Sequence, residues 1–250
     1  MKQIPILMNG QVVATLEQRK KKTRRVIKHP HILGLLNDGT ATKEYISSLE
    51  GFCPFGKPGD VLYVRETMRV ASWDCEGWFQ FAYKADEGFM NHDGGLYEND
   101  DDGEKEMAWY LKAGDYLERI GAEQDEEGIY RNFTLPWTPA IHMPKAAARI
   151  WLEVVSIGVE RLQDISEEDA KGEGILFYND EGRNRYKDYS DAARGYDDLK
   201  LGYPSFGIAK TSFCTLWEKI NGRESWNANP WVWVVEYKVL STTGKPGNIE

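Results

Sequence analysis

Lys20, Thr23 and Arg25 set an amine, a hydroxyl and a guanidinium close together in the order K-x-x-T-x-R. Groups of these types at that spacing are suited to two kinds of chemistry. A concentrated positive patch grips anions, and nucleic-acid phosphate is the commonest such partner. A hydroxyl can also attack a carbonyl, provided a neighbouring base takes its proton. The surrounding run is Gln18-Arg19-Lys20-Lys21-Lys22-Thr23-Arg24-Arg25, and residues 17–28 hold seven Lys or Arg against one acid. That density stands in a chain whose formal net charge is −9. A solvated basic turn or an import-like cluster has the same composition, so the run alone does not define a site.

The second informative stretch is residues 161–175. Ser166 followed three residues later by Asp169 marks a helix start, with acids in the first turn where the helix dipole favours them. Gly172 and Gly174 end that helix quickly and leave the Glu173 carboxylate on its exit turn. Flanking glycines permit close backbone approach, which suits a carboxylate aimed inward and equally suits a plain C-cap. His142 lies in a polar, proline-bounded segment with no second histidine nearby; it enters only as a pocket candidate, because a lone His is more often a structural hydrogen-bonder.

A chain of 250 residues can bury a sizeable core as one large domain or two small ones. Hydrophobic residues at 41% and charged residues at 28% fit a soluble globular protein. No apolar run approaches bilayer length, and the start lacks the apolar core of a signal peptide, so no membrane partner is expected. Cys53, Cys75 and Cys214 are odd in number, widely spaced and without a C-x-x-C pair. They argue against a disulfide framework or structural zinc and fit a reducing cytoplasm. Asn99-Asp100-Asp101-Asp102-Gly103 is acidic enough for calcium, but its spacing is not that of an EF-hand loop, so no metal and no cofactor are expected.

The elements that must position these residues read as a mixed, β-rich α/β fold. Residues 11–17 read as a short helix with the basic run as its exit, and Pro30 limits any further helix. Residues 31–52 carry little signal. The Gly56-to-Asp60 turn leads into a strand at 61–66, and 78–83 reads as a second. Residues 86–127 turn acidic and glycine-rich; 97–106 hold six acids and one lysine, which reads as a solvated excursion. Residues 150–159 alternate as a strand. Residues 176–212 read as a long loop or partly ordered insertion. Residues 212–220 carry Phe213, Leu216, Trp217 and Ile220 at helical spacing, closed by Asn221-Gly222. Residues 231–240 are the clearest strand, and the last ten residues read as a loose tail.

Three of these stretches resemble the ASCH family, a small β-barrel fold related to PUA domains. Arg19-Lys20-x-x-Thr23-x-Arg25 is similar to its G-x-K-x-x-T-x-R signature, and Gly56-Lys57-Pro58-Gly59-Asp60-Val61-Leu62-Tyr63-Val64 to its G-D-x-apolar-x-V strand entry. The third is the 162–175 helix with Glu173, followed by the closing strand at 233–240. The resemblance covers about a third to a half of the chain and looks most like the longer members encoded by phages and prophages. It implies a single PUA-like domain over residues 1–240, insertions at about 72–137 and 176–211, and a tail at 241–250. Small bacterial members remove the acetyl group from N-acetylated cytidine. Carried over, their catalytic residues fall on Lys20, Thr23 and Glu173, with Arg19, Arg24, Arg25 and His142 on the substrate or phosphate side. Gln18 departs from the pattern, standing where the family has glycine.

Two functions follow as expectations. As an amidohydrolase, Thr23 attacks and Lys20 takes its proton, which requires the Lys20 pKa to fall well below about 10.4 through burial or neighbouring cations. Glu173 then orients Lys20 or protonates the leaving amine, and Arg25 holds a phosphate or polarises the carbonyl. As a non-catalytic RNA or modified-nucleotide binding module, or an RNA-cleaving relative of the family, the basic run grips phosphate and a tryptophan stacks on a base. The partner is then a nucleoside or RNA; no protein partner has a signature. The amidohydrolase reading requires Lys20, Thr23 and Glu173 to meet in one pocket.

Overall fold

The computed structural model describes residues 1–8, 10–74, 79–92, 111–112, 114–130, 134–190, 205–247 and 249. Its elements are β1 (Gln3–Leu7), α1 (Val12–Leu16), β2 (Lys22–Val26), α2 (Pro30–Asn37), α3 (Lys43–Ser48), β3 (Val61–Arg65), β4 (Met68–Asp74), β5 (Phe79–Tyr83) and β6 (Phe89–His92). There follow β7 (Ile129–Tyr130), β8 (Trp151–Arg161), α4 (Glu167–Gly172), β9 (Phe177–Asp180), β10 (Arg183–Lys187), β11 (Ser205–Phe206), α5 (Ala209–Asn221) and β12 (Trp231–Ser241). The fold is mixed α/β and β-rich, as the sequence indicates.

The β-branched and aromatic runs at β3, β8 and β12 form adjacent strands of a five-stranded sheet ordered β1–β3–β8–β12–β2. Among the described residues no ladder joins β1 to β2. The chain divides into two compact units: Met1–Lys2, Ala14–Val61 and Glu153–Val239 make the first, and Gln3–Val13, Leu62–Leu152 and Leu240–Glu250 the second.

In the first unit, β2 pairs antiparallel with β12 in the register Val26–Val232, Arg25–Trp233, Arg24–Val234, Thr23–Val235 and Lys22–Glu236. The basic run is therefore a sheet strand and not merely a helix exit. Its charges give it poor strand propensity, but β12 supplies a ladder for its backbone groups, and pairing overrides propensity. Pro30 likewise begins α2 rather than barring it, because its fixed φ suits the first helical position. Thr42 caps α3 by accepting the Tyr45 N–H at 3.1 Å. The stretch after residue 176, read as a long loop or partly ordered insertion, contains the hairpin β9–β10, extended by β11. Glu181 and Gly182 make its turn with φ of 48° and 83°, the positive values a tight two-residue hairpin needs. Residues 191–204 lie outside the described set. Leu162, Ile165, Ala170, Ile175, Phe213, Leu216, Trp217 and Val232 form one apolar cluster that fixes α4 and α5 against the sheet.

The second unit carries a sheet ordered β6–β5–β4–β7. Part of the expected acidic excursion is thus ordered as β6, while residues 93–110, with the Asn99-to-Gly103 stretch, lie outside the described set. Arg149 is buried here, forking onto Glu66 at 2.8 Å and Asp86 at 2.8 Å and stacking 4.1 Å over the Tyr83 ring. The tail is not loose: the Gly244 N–H donates to the Arg149 carbonyl at 3.0 Å, and Ile249 is buried. Among the described residues, no helix is long and apolar enough to cross a membrane.

Candidate active site

Glu173 owes its position to a short helix closed at both ends. Ser166 Oγ accepts the Asp169 N–H at 3.0 Å, and the Glu173 N–H returns to the Asp169 carbonyl at 3.0 Å. Ala170, with no exposure, ties the helix into the apolar cluster. Gly174 then passes the chain against the basic run at a φ of +84°. A Cβ there would lie 2.8 Å from Lys20 Cβ and 2.9 Å from Ala14 Cβ, so glycine is required by conformation and by space. That approach creates a backbone bridge between Lys20 and Glu173, flanked by the Lys21 N–H donating to the Gly172 carbonyl at 2.8 Å. Gln18 takes a φ of 56°, a left-handed conformation that costs a residue with a Cβ some strain.

The side chains complete what the backbone begins. Lys20 Nζ donates to Glu173 Oε2 at 2.7 Å and to the Glu173 carbonyl at 3.0 Å, across 153 residues of chain. Arg24 Nη1 donates to the other oxygen, Oε1, at 3.0 Å. Both Lys20 and Glu173 are only 3% exposed. Buried charges survive when their partners and hydrogen bonds are complete, and Glu173 is matched on both oxygens.

Arg24, expected on the substrate side, is instead engaged by the protein's own carboxylates. Its guanidinium is spent on Glu160 at 2.7 Å and Asp169 at 3.3 Å besides Glu173, with no side-chain exposure. Lys22 joins the same network through Asp169 at 2.6 Å. Arg25 donates to the Thr23 hydroxyl and to the Arg24 carbonyl. Among the described hydrogen bonds, Thr23 is linked to the Lys20–Glu173 pair through Arg25, which feels the Glu173 carboxylate, rather than by direct contact. Arg19 braces the exit turn, donating to the Gly174 carbonyl at 2.6 Å and to Glu17 at 2.6 Å. His142 is exposed on a 3-10 turn, Ala140–His142, of the second unit.

Burial pushes the Lys20 amine below its ordinary pKa; Glu173 opposes the shift, and Arg25 and Arg24 reinforce it. Burial likewise lowers Arg25 against the pull of Glu173. Burial works against Arg24 too, but Glu173 and Glu160 hold it above its usual value. The result is an amine predisposed to give up its proton, next to a carboxylate that can fix its direction. Beyond it stands a hydroxyl whose oxygen is polarised by a guanidinium. No group of three or more His, Cys, Asp or Glu among the described residues is placed to hold a metal ion.

A cleft of about 600 Å³ lies beside this cluster, with Arg19, Lys21, Lys171, Phe177 and Asn184 in its walls. Lys21 and Gly172, which flank the backbone bridge, line it; Lys20, Thr23 and Glu173 do not. A substrate reaching Thr23, which has no exposure, must displace part of the surrounding chain. Sequence reading missed Glu160 and Asp169 as partners of the basic run and Tyr237 as a neighbour of the cluster. Only Asp169 left a signal, as the third residue of a helix start. The chain matches no family model, no curated protein and no solved structure.

Proposed function

We propose that this protein is an amidohydrolase that removes the acyl group from an N-acylated nucleobase or nucleoside, N4-acetylcytidine being the test substrate. The observation that carries the reading is the buried contact between Lys20 and Glu173, residues far apart in sequence, with Arg25 linking the Thr23 hydroxyl to the pair. The resemblance of Lys20-x-x-Thr23-x-Arg25 to the ASCH signature supports it, with Gln18 standing where that signature has glycine. In the reaction, the Thr23 oxygen bonds to the acyl carbon while its proton passes to neutral Lys20. The carbon–nitrogen bond then breaks, and Lys20 returns that proton to the leaving exocyclic nitrogen. Water, deprotonated by Lys20, hydrolyses the acyl-threonine ester, releasing the carboxylic acid and restoring the hydroxyl. Arg25 stabilises negative charge developing on Thr23 or on the acyl oxygen, the largest class of catalytic contribution. Glu173 orients the amine. A reducing compartment such as the cytoplasm suits the unpaired, buried Cys53.

One observation favours a second reading. The cleft presents Lys21 and Lys171 beside Phe177, which is 57% exposed, a combination that can hold phosphate and stack a base. Incubation with N4-acetylcytidine separates the two. Release of cytidine and acetate, abolished in Thr23→Val and Lys20→Met, supports the hydrolase. Failure to release either, with salt-sensitive binding of single-stranded RNA, supports the binding module.

A further inference from the structure

We propose that Tyr237 is a ligand-contacting residue of the Lys20–Glu173 cluster, its phenol donating a hydrogen bond to the carbonyl oxygen of a bound amide. The identity of that acceptor rests on the amidohydrolase reading.

Tyr237 lies on β12, and its N–H donates to the Lys21 carbonyl at 3.0 Å, which seats it beside the bridging segment. Opposed residues of an antiparallel pair share a face, so Val235 and Thr23 point the same way. The two-residue period of the strand puts Tyr237 on that face as well. Its side chain is buried, with 3% of the residue exposed, and its hydroxyl meets no partner with full hydrogen-bond geometry. The Thr15 hydroxyl relieves it in part, and the charged groups it feels are Glu173 and Arg25. A buried hydroxyl left in this state is rare in folded proteins and calls for a reason.

The chemistry narrows that reason. Burial raises the phenol's pKa, with Thr15 easing the shift, so the group keeps its proton and acts as a donor. It therefore complements Lys20, whose burial favours the opposite role. An amide carbonyl needs donors, and its oxygen gains negative charge during attack. A fixed neutral donor beside Arg25 meets that need without adding another buried charge. The other described side-chain donors without partners, such as Trp217 Nε1 and Ser225 Oγ, have no counterpart in the cluster's ion pairs.

Tyr237→Phe deletes one oxygen and keeps the ring. In the free protein the melting temperature should stay level or rise, because no completed bond is lost. With N4-acetylcytidine, kcat should fall about 10²–10³-fold while KM changes by no more than a few-fold. A drop of several degrees in the melting temperature shows a hydroxyl already bonded within the fold and overturns the proposal. Unchanged kcat in an active enzyme also overturns it. If the wild-type protein releases no acetate, the hydrolase reading fails separately, and calorimetric titration with cytidine and N4-acetylcytidine decides Tyr237. Binding weakened about tenfold in Tyr237→Phe sustains the contact; equal binding, or no binding to either protein, removes it.

Discussion

Replacing Glu173 by glutamine tests the central contact without changing side-chain size. The carboxylate accepts Lys20 at 2.7 Å on one oxygen and Arg24 at 3.0 Å on the other, in a site 3% exposed. The amide can still accept from one cation but must present its own N–H₂ to the other. Removing one partner of a buried ion pair costs about 3–5 kcal/mol. Arg24 keeps Glu160 and Asp169, so the stranded charge is Lys20, and the lower end of that range, about 3 kcal/mol, applies. For a chain of this length each kcal/mol shifts the melting temperature by about 2–4 °C, giving a fall of about 6–12 °C at pH 7. The sign of the pH dependence is fixed by Lys20. Burial already holds its folded pKa below the ordinary lysine value of 10.5, and Glu173 is the main influence opposing that fall. Without the carboxylate the folded pKa drops further, the variant releases its proton earlier, and its stability rises faster with pH. The gap from wild type should therefore narrow as pH rises towards the wild-type Lys20 pKa. Adding Lys20→Met should recover much of the loss, because the amine is no longer stranded. Calorimetric melts from pH 6 to pH 10 measure all of this. A shift below about 2 °C, or a gap that widens with pH, refutes the buried pair.

Thr23→Val should lower acetate release at least about 10²-fold, and combining it with Lys20→Met should add little, since groups acting as one unit are strongly non-additive. In the active protein the rate should rise with pH through an apparent pKa below the ordinary lysine value of 10.5, because burial lowers Lys20; a limb at or above that value removes Lys20 as the base. Gln18→Gly should leave activity intact and raise the melting temperature by about 2–4 °C, because about 1 kcal/mol of left-handed strain at a φ of 56° is relieved. Burial pushes the Cys53 and Cys214 thiols up to about 11, so alkylation by iodoacetamide at pH 8 should run well below the rate of the unfolded chain.

What could be read from the sequence was what local rules decide. Ser166 and Asp169 announced a helix start, and the cap bond is there. The β-branched and aromatic runs of β3, β8 and β12 announced strands that proved adjacent in one sheet. The hairpin at Glu181-Gly182 and helix α2 were not legible for opposite reasons. In the hairpin, a composition rich in Asp, Arg, Tyr and Gly suggests at most partial order and does not mark a turn whose positive φ values are its defining feature. In α2, Pro30 reads as a limit to helix, yet its missing N–H costs nothing at the first position, and Ile32 and Leu36 bury one turn apart.

The basic run shows most directly why composition could not separate scaffold from site. Seven cations in a short stretch look interchangeable when read as charge density. Pairing with β12 makes them unlike, because alternate residues of a strand face opposite ways. Lys22 and Arg24 turn to the carboxylates of α4 and β8 and are consumed there, holding the helix that delivers Glu173. Thr23 and Arg25 turn to the other face, where Val235 sits opposite the hydroxyl and the guanidinium polarises it. Nothing in the sequence around Arg24 names Glu160, 136 residues away, so its engagement there is invisible to local reading. The same register made Tyr237 invisible, since its nearness to Thr23 follows from which residue of β12 lies opposite β2. Glu173 was the exception: two glycines marked the place where the chain had to come close, and Gly174 is the position at which any side chain would strike Lys20.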